Sequence, residues 1–290
     1  MNDLAHVPEQ KRLLLDGLVD RLSAVEGMQA IVLGGSYASG TFHEASDMDV
    51  GLYFETSPFP IEEIRRIADE VSIKKPATVT DFYGWGAWVN GGAWIHTQHG
   101  KVDFLYRNLD QVRRTIAEAQ QGISRHDYYQ QPAYGFYSVI YLAETQVCIP
   151  LFDPKQWIQD LKIRVEVYPP RLREKTIQDL LWSAEFTLLH ARAFAAQGNV
   201  YNTAGCMARV ASNLTQALFA LNKAYFMRDK KVMDVIEAFP MRPAGYVTKV
   251  SRILASPGGT QQALTDTVTR TEQPWREVVS LTGGLYQPAF

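Results

Sequence analysis

Two neighbouring stretches constrain this chain most: Leu33-Gly34-Gly35-Ser36-Tyr37-Ala38-Ser39-Gly40 and then Ser46-Asp47-Met48-Asp49-Val50-Gly51-Leu52-Tyr53. The apolar run Ala30-Ile31-Val32-Leu33 predicts a buried strand. Gly34-Gly35 permits a sharp turn and a close approach of ligand to backbone. Ser36 then opens a helix, whose unpaired N–H groups and dipole favour phosphate. Met48–Phe54 predicts a second strand. Asp47 and Asp49, two residues apart, leave the same face of it. Hard oxygen ligands beside a phosphate cradle point to a magnesium–nucleotide site.

The Gly-Gly-Ser turn followed by Asp-x-Asp resembles the nucleotidyltransferase superfamily that includes DNA polymerase beta. Within it, the chain looks most like bacterial antibiotic and small-substrate nucleotidyltransferases, a minimal catalytic domain joined to a helical C-terminal domain. A weaker likeness runs through Gly84–Gly92, Val102-Asp103-Phe104 and Leu172–Gly198. The resemblance implies an α+β catalytic domain, a mixed sheet with flanking helices, over residues 1–168, and an all-α helical bundle over 169–290. It implies Mg2+ and a nucleoside triphosphate, ATP foremost, as co-substrate. By the same resemblance Gly34, Gly35 and Ser36 are expected to hold its phosphates, and Asp47, Asp49 and Asp103 the metal. A third carboxylate on a neighbouring strand completes such sites, and Asp103 sits on the otherwise apolar run Val102–Leu105, where an acid is costly unless paired or metal-bound. Two-metal chemistry suits transfer of a nucleoside monophosphate, since one ion activates the acceptor hydroxyl and the other holds the leaving phosphates.

Related motifs often carry arginine or lysine near the positions of Tyr37 and Ser39, which here are neutral. The triphosphate grip is therefore expected from backbone N–H groups, magnesium and cations elsewhere. Lys223 is one candidate, on a stripe with Arg209, Asn213 and Gln216 that either lines a cleft between the domains or is simply solvated. Glu185, among Trp182, Phe186, Leu188 and Leu189, is a candidate general base by likeness to the antibiotic enzymes, or else an acid paired with Arg192. The glycine- and tryptophan-rich segment from Gly84 to Trp94 offers Trp85 or Trp88 for stacking, or covers a sheet edge.

Elsewhere the spacing predicts helices over residues 9–25, with Leu13, Leu14, Leu18 and Leu22 inward, and over 61–71 after the break at Pro58 and Pro60. A β-like segment is expected over 77–82, a hairpin around Gln98–Lys101, a helix over 109–120 and a last strand over 147–151. After Tyr168-Pro169-Pro170, long helices over 172–197 and 203–226 are parted by Gly198-Asn199, and shorter ones follow.

A net charge of −2 and the lack of a long basic block speak against extensive nucleic-acid binding. Neither a leader pattern nor a membrane-length apolar run is evident, so a cytoplasmic protein with two reduced thiols, Cys148 and Cys206, is expected. The expected partners are a nucleoside triphosphate and a small hydroxylated acceptor, aminoglycoside-like by the same resemblance, with homodimerisation open. Nucleotidylation of a protein or RNA, as in toxin–antitoxin systems, and a non-catalytic nucleotide-binding role remain open as alternatives.

Overall fold

The computed structural model describes residues 4–55 and 59–290. Pro58 and the first three residues, on which the chain break and the leader reading partly rest, lie outside the described residues. The chain packs as two compact units, one comprising residues up to Ala117 with Arg125–Val167, the other Glu118–Ser124 with Tyr168–Phe290.

The first unit opens with helix α1 (Glu9–Ser23), strand β1 (Ala30–Leu33), the single turn α2 (Gly35–Ala38) and strand β2 (Met48–Phe54). Helix α3 (Ile61–Val71), the short β3 (Thr78–Val79), β4 (Gly92–Thr97) and β5 (Gly100–Asn108) follow. Helix α4 (Leu109–Gln120), a small ribbon of β6 (His126–Asp127) and β7 (Phe136–Tyr137), α5 (Val139–Val147), β8 (Ile149–Phe152) and α6 (Trp157–Val165) complete the order. Six strands form one mixed sheet in the order β3-β4-β5-β2-β1-β8, with β2 and β5 parallel and the other pairs antiparallel.

Alternation along the strands decides which face carries what. Met48, Val50, Leu52 and Phe54 of β2 and Val102, Phe104 and Tyr106 of β5 join one core with Leu15, Leu18 and Leu22 of α1 and Ile64 and Ile67 of α3. Asp49, Asp103 and Trp94 therefore occupy the opposite face. The α1 stripe differs by one position from the sequence reading. Leu13 is exposed and Leu15 is inside, because the helix turns a face centred on 15, 18 and 22 to the sheet. The β-like run over 77–82 shrinks to two paired residues. Val147 ends a helix rather than starting a strand, which begins at Ile149. The Cys148 thiol is buried, and that burial pushes it up to about 12.

The second unit is helical: α7 (Pro170–Ala196), α8 (Val200–Leu221), α9 (Val232–Glu237), α10 (Tyr246–Ala255) and α11 (Gln261–Leu281). Pro170 sits at the first helical position, where its missing N–H costs nothing. Gly198 closes α7 in the left-handed region (φ 67°), and the Asn199 side chain caps α8 by accepting the Asn202 N–H. Ala191 and Ala195 of α7, Met207 of α8 and Leu264 and Val268 of α11 share one core, the small alanines permitting close helix approach. Among the described residues no helix is long and apolar enough to cross a membrane.

Candidate functional site

Sheet register assembles the site. Asp49 is the direct partner of Asp103 across the parallel β2–β5 pair, Asp103 of Trp94 across β5–β4, and Trp94 of Thr78 across β4–β3. On the other side, the Gly34 N–H donates to the Asp49 carbonyl at 2.8 Å. One row thus crosses five segments: glycine turn, Asp49, Asp103, Trp94, Thr78.

The glycine turn and Asp49 are fitted to each other. Gly35 has φ 58°, and a Cβ built there would lie 1.7 Å from Asp49 Oδ2 and 2.7 Å from its Cγ. Only glycine leaves room for that carboxylate, besides tolerating the left-handed backbone. Gly35 and Ser36 stand in the first turn of α2, ahead of its first bond, from the Ala38 N–H to the Gly34 carbonyl at 3.1 Å. Their N–H groups have no intrahelical partner. Ser39 folds back, its hydroxyl donating to the Gly35 carbonyl at 3.1 Å.

Asp103 carries the clearest electrostatic signature. Its Oδ1 is buried with no hydrogen-bond partner among the described residues. Burial first, and then the nearby Asp47 charge, lift its carboxyl from an ordinary 3.8 to about 6, with Lys101 pulling the other way. A buried acceptor left unmatched costs about 1–3 kcal/mol, so the position calls for a cation or a proton.

Carboxylate oxygens are the ligands a hard divalent ion prefers, and the orphaned Asp103 oxygen fits that role. The three acids do not yet form a cage. Among the described residues no group of three or more His, Cys, Asp or Glu side chains is arranged to hold a metal ion. Asp49 is turned against Gly35, whereas Asp103 couples to Asp47. Asp49 and Asp103 are nonetheless register partners on adjacent strands.

A cavity of about 560 Å³ opens beside Asp47 and Asp103, with Lys74, Lys101, Trp94 and His96 among its walls. These are the residues that sequence reasoning passed over. Lys101 was readable, since it lies two residues before Asp103 on the same strand face. Lys74 was not, because only the return of the chain from α3 to β3 brings it there. A further cation, Lys11 of α1, donates from Nζ to the Tyr37 hydroxyl at 2.6 Å and to the Ser46 carbonyl at 3.1 Å, beside Asp47. Tyr37 itself is core, almost fully buried and stacked on Phe42 at 4.5 Å.

The glycine- and tryptophan-rich segment leads into β4. It is a loop clamped from inside. The fully buried Asn90 (φ 63°) donates to the Ala87 carbonyl at 2.8 Å and accepts the Asn108 N–H at 3.0 Å. Arg107 grips Glu144 through Nε (2.9 Å) and a terminal nitrogen (2.8 Å), and its other nitrogen donates to the carbonyls of Val89 and Tyr106. Burial works against that guanidinium, and Glu144 outweighs it, so its charge is held more firmly than usual. Trp88 stacks on Phe136, and Trp85 stacks on Trp94 at 4.8 Å with 26° between planes.

The second-unit candidates are placed differently. Glu185 is buried and accepts the Tyr286 hydroxyl and the backbone N–H groups of Ala289 and Phe290. Arg192 pairs with Glu272 at 2.7 Å rather than with Glu185. Helix α8 ends at Leu221, so Lys223 is not on its face but in the left-handed position that closes it (φ 54°). Its N–H donates to the Ala220 carbonyl at 3.1 Å. Asn213 and Gln216 are buried, and Asn213 donates to the Ser183 hydroxyl at 3.0 Å, so the expected polar stripe is not a continuous solvated face.

Residues 15–81 match the family model of the nucleotidyltransferase domain. That span holds the glycine turn, Asp47 and Asp49; Asp103 lies beyond it and joins the site through the register. The crystal structure of a nucleotidyltransferase-like protein from Exiguobacterium sibiricum 255-15 is similar at a TM-score of 0.47 and 11% identity, over 93% of this chain and 78% of that one. No curated protein matches the sequence. Residues 15–81 thus match a nucleotidyltransferase domain, within an N-terminal mixed sheet with helices that a helical C-terminal region follows.

Proposed function

We propose that this nucleotidyltransferase-domain protein transfers a nucleoside monophosphate from a magnesium-bound nucleoside triphosphate, ATP foremost, to a hydroxyl of a small molecule. The observation that carries the reading is the pairing of Asp49 with Asp103 in register, with Asp103 Oδ1 buried and unmatched.

The N–H groups of Gly35 and Ser36 take phosphate oxygens, and the bare glycine surface lets them approach. Asp47, Asp49 and Asp103 are the residues to hold the divalent ion. When bound, that ion supplies charge neutralisation at the leaving phosphates and acidifies the acceptor hydroxyl. Asp103, on the side of the row away from the turn, takes the proton as that hydroxyl attacks the α-phosphorus. The new P–O bond forms as the bond to the bridging oxygen breaks, and pyrophosphate leaves on the glycine-turn side.

Calorimetric titration of ATP, GTP, CTP and UTP, with and without magnesium, tests this directly. Magnesium-dependent binding of at least one triphosphate, abolished in Asp47→Ala/Asp49→Ala, is the expected result. No binding of any triphosphate by the wild type overturns the reading.

A further inference from the structure

The site's row has a direction, and that direction identifies where the acceptor sits and what it is. On the nucleotidyl-transfer reading above, in-line displacement places the attacking oxygen opposite the leaving group. With the phosphates on the glycine turn, pyrophosphate departs toward β1, and the acceptor must approach from the side of Asp103 and β4. The sheet continues there into the cavity of about 560 Å³, a volume typical of a small-molecule pocket.

Three properties of that cavity select its occupant. Its floor is an indole: Trp94 is 51% exposed, unusual for so large an apolar ring, and it lies directly across from Asp103. The stacked Trp85 supports it from the loop that Asn90 and Arg107 clamp. A ring so braced presents a fixed flat face at little entropic cost. Its charged walls are Lys74 and Lys101, both exposed, with His96 the cross-strand neighbour of Lys101. Among the described residues the carboxylates on the cavity wall are Asp47 and Asp103, which the ion claims. Once they are neutralised, the charge that remains for an acceptor is positive.

We infer that this cavity is the acceptor subsite, and that its acceptor is a planar, hydroxylated anion whose ring lies on Trp94 and whose phosphate or carboxylate meets Lys74 and Lys101. A polycation of the aminoglycoside kind is repelled by both lysines, a like-charge cost set against any cation–π contact with the indole.

The experiment is calorimetry on protein saturated with magnesium and α,β-methylene-ATP, a triphosphate that cannot release pyrophosphate. Adenosine 5′-monophosphate probes the phosphate form of the acceptor, 4-hydroxybenzoate the carboxylate form, and kanamycin the polycation. Binding of one of the two anions, weakened tenfold or more in Trp94→Ala and in Lys74→Ala, is expected, with affinity for the magnesium–nucleotide unchanged within twofold in both variants. Which anion binds tells phosphate from carboxylate. Three results overturn the inference: neither anion binds, kanamycin binds more tightly than both, or Lys74→Ala weakens the nucleotide as much as the anion, which makes that lysine part of the triphosphate grip. Loss of nucleotide binding by the wild type instead refutes the underlying nucleotidyl-transfer reading, so the two failures are distinct. Both altered side chains are exposed, and a thermal melt on each variant verifies that it folds.

Discussion

Replacing Asp103 by asparagine makes the metal-free protein more stable, not less. The carboxylate at this position is held on a partly buried face beside Asp47, and its carboxyl is lifted from an ordinary 3.8 to about 6. At neutral pH the fold therefore carries a charge it disfavours, by about 3 kcal/mol at 1.36 kcal/mol per tenfold. Partial contact with water discounts that to about 1.5 kcal/mol. The sign follows from proton counting. Between 3.8 and about 6 the folded state holds a proton that the unfolded chain has released. The contribution to stability is fully present below the lower value and is lost as pH rises through about 6. Thermal unfolding in EDTA at pH 7 should show Asp103→Asn melting roughly 3–6 °C above wild type. The difference between the two proteins should vanish near pH 4, where the wild-type carboxyl is protonated. Magnesium should stabilise the wild type and not the variant. A variant that melts below wild type at pH 7 without metal, or a difference that does not change between pH 4 and pH 7, would refute the assignment of Asp103 as an unsatisfied carboxylate.

Two further outcomes follow from the packing. Gly35→Ala forces a methyl group to 1.7 Å from Asp49 Oδ2, so Asp49 must swing away from the turn. Together with the left-handed strain of about 1–2 kcal/mol, this should abolish magnesium-dependent nucleotide binding while the circular dichroism spectrum stays that of the wild type. Glu144→Ala leaves Arg107, only 4% exposed, with its carbonyl acceptors but no counter-charge. Because Glu144 is itself partly exposed, the loss in urea unfolding should fall near about 2–3 kcal/mol, below the range for a fully buried pair.

How much of this the sequence disclosed depends on the range of the interaction. Strand β1, the glycine turn and the start of β2 were legible because each rests on neighbours a few residues away: an apolar run, a residue without a Cβ, a period of two. The fold class came with the family resemblance that those residues carry. Helix α5 was missed because Val139–Ala143 is buried along its whole run and shows no amphipathic period. The cavity was illegible because Lys74 and Trp94 come to one cavity through tertiary contacts, the β3–β4 pairing and the Ile73 N–H donating to the His96 carbonyl at 2.7 Å. Glu185 shows the same limit most plainly. Its apolar neighbours on α7 suggested a perturbed acid, whereas its partners are Tyr286 and backbone groups about a hundred residues on. No local pattern encodes that.

The parallel pairing of β2 with β5 has a consequence for how the protein comes into being. Asp49 and Asp103 are brought side by side only after α3, β3, the clamped loop and β4 have all been made and threaded between them. Such non-local closure is slow relative to helix formation. During synthesis the segment bearing the glycine turn and the first two acids emerges well before its third. Until β5 arrives, β2 is an open edge rich in Val50, Leu52 and Phe54, with the backbone groups that will pair with β5 unmatched. The stretch of the chain that is easiest to recognise is thus not a unit that can stand alone, and its isolated expression should yield aggregate rather than a minimal enzyme.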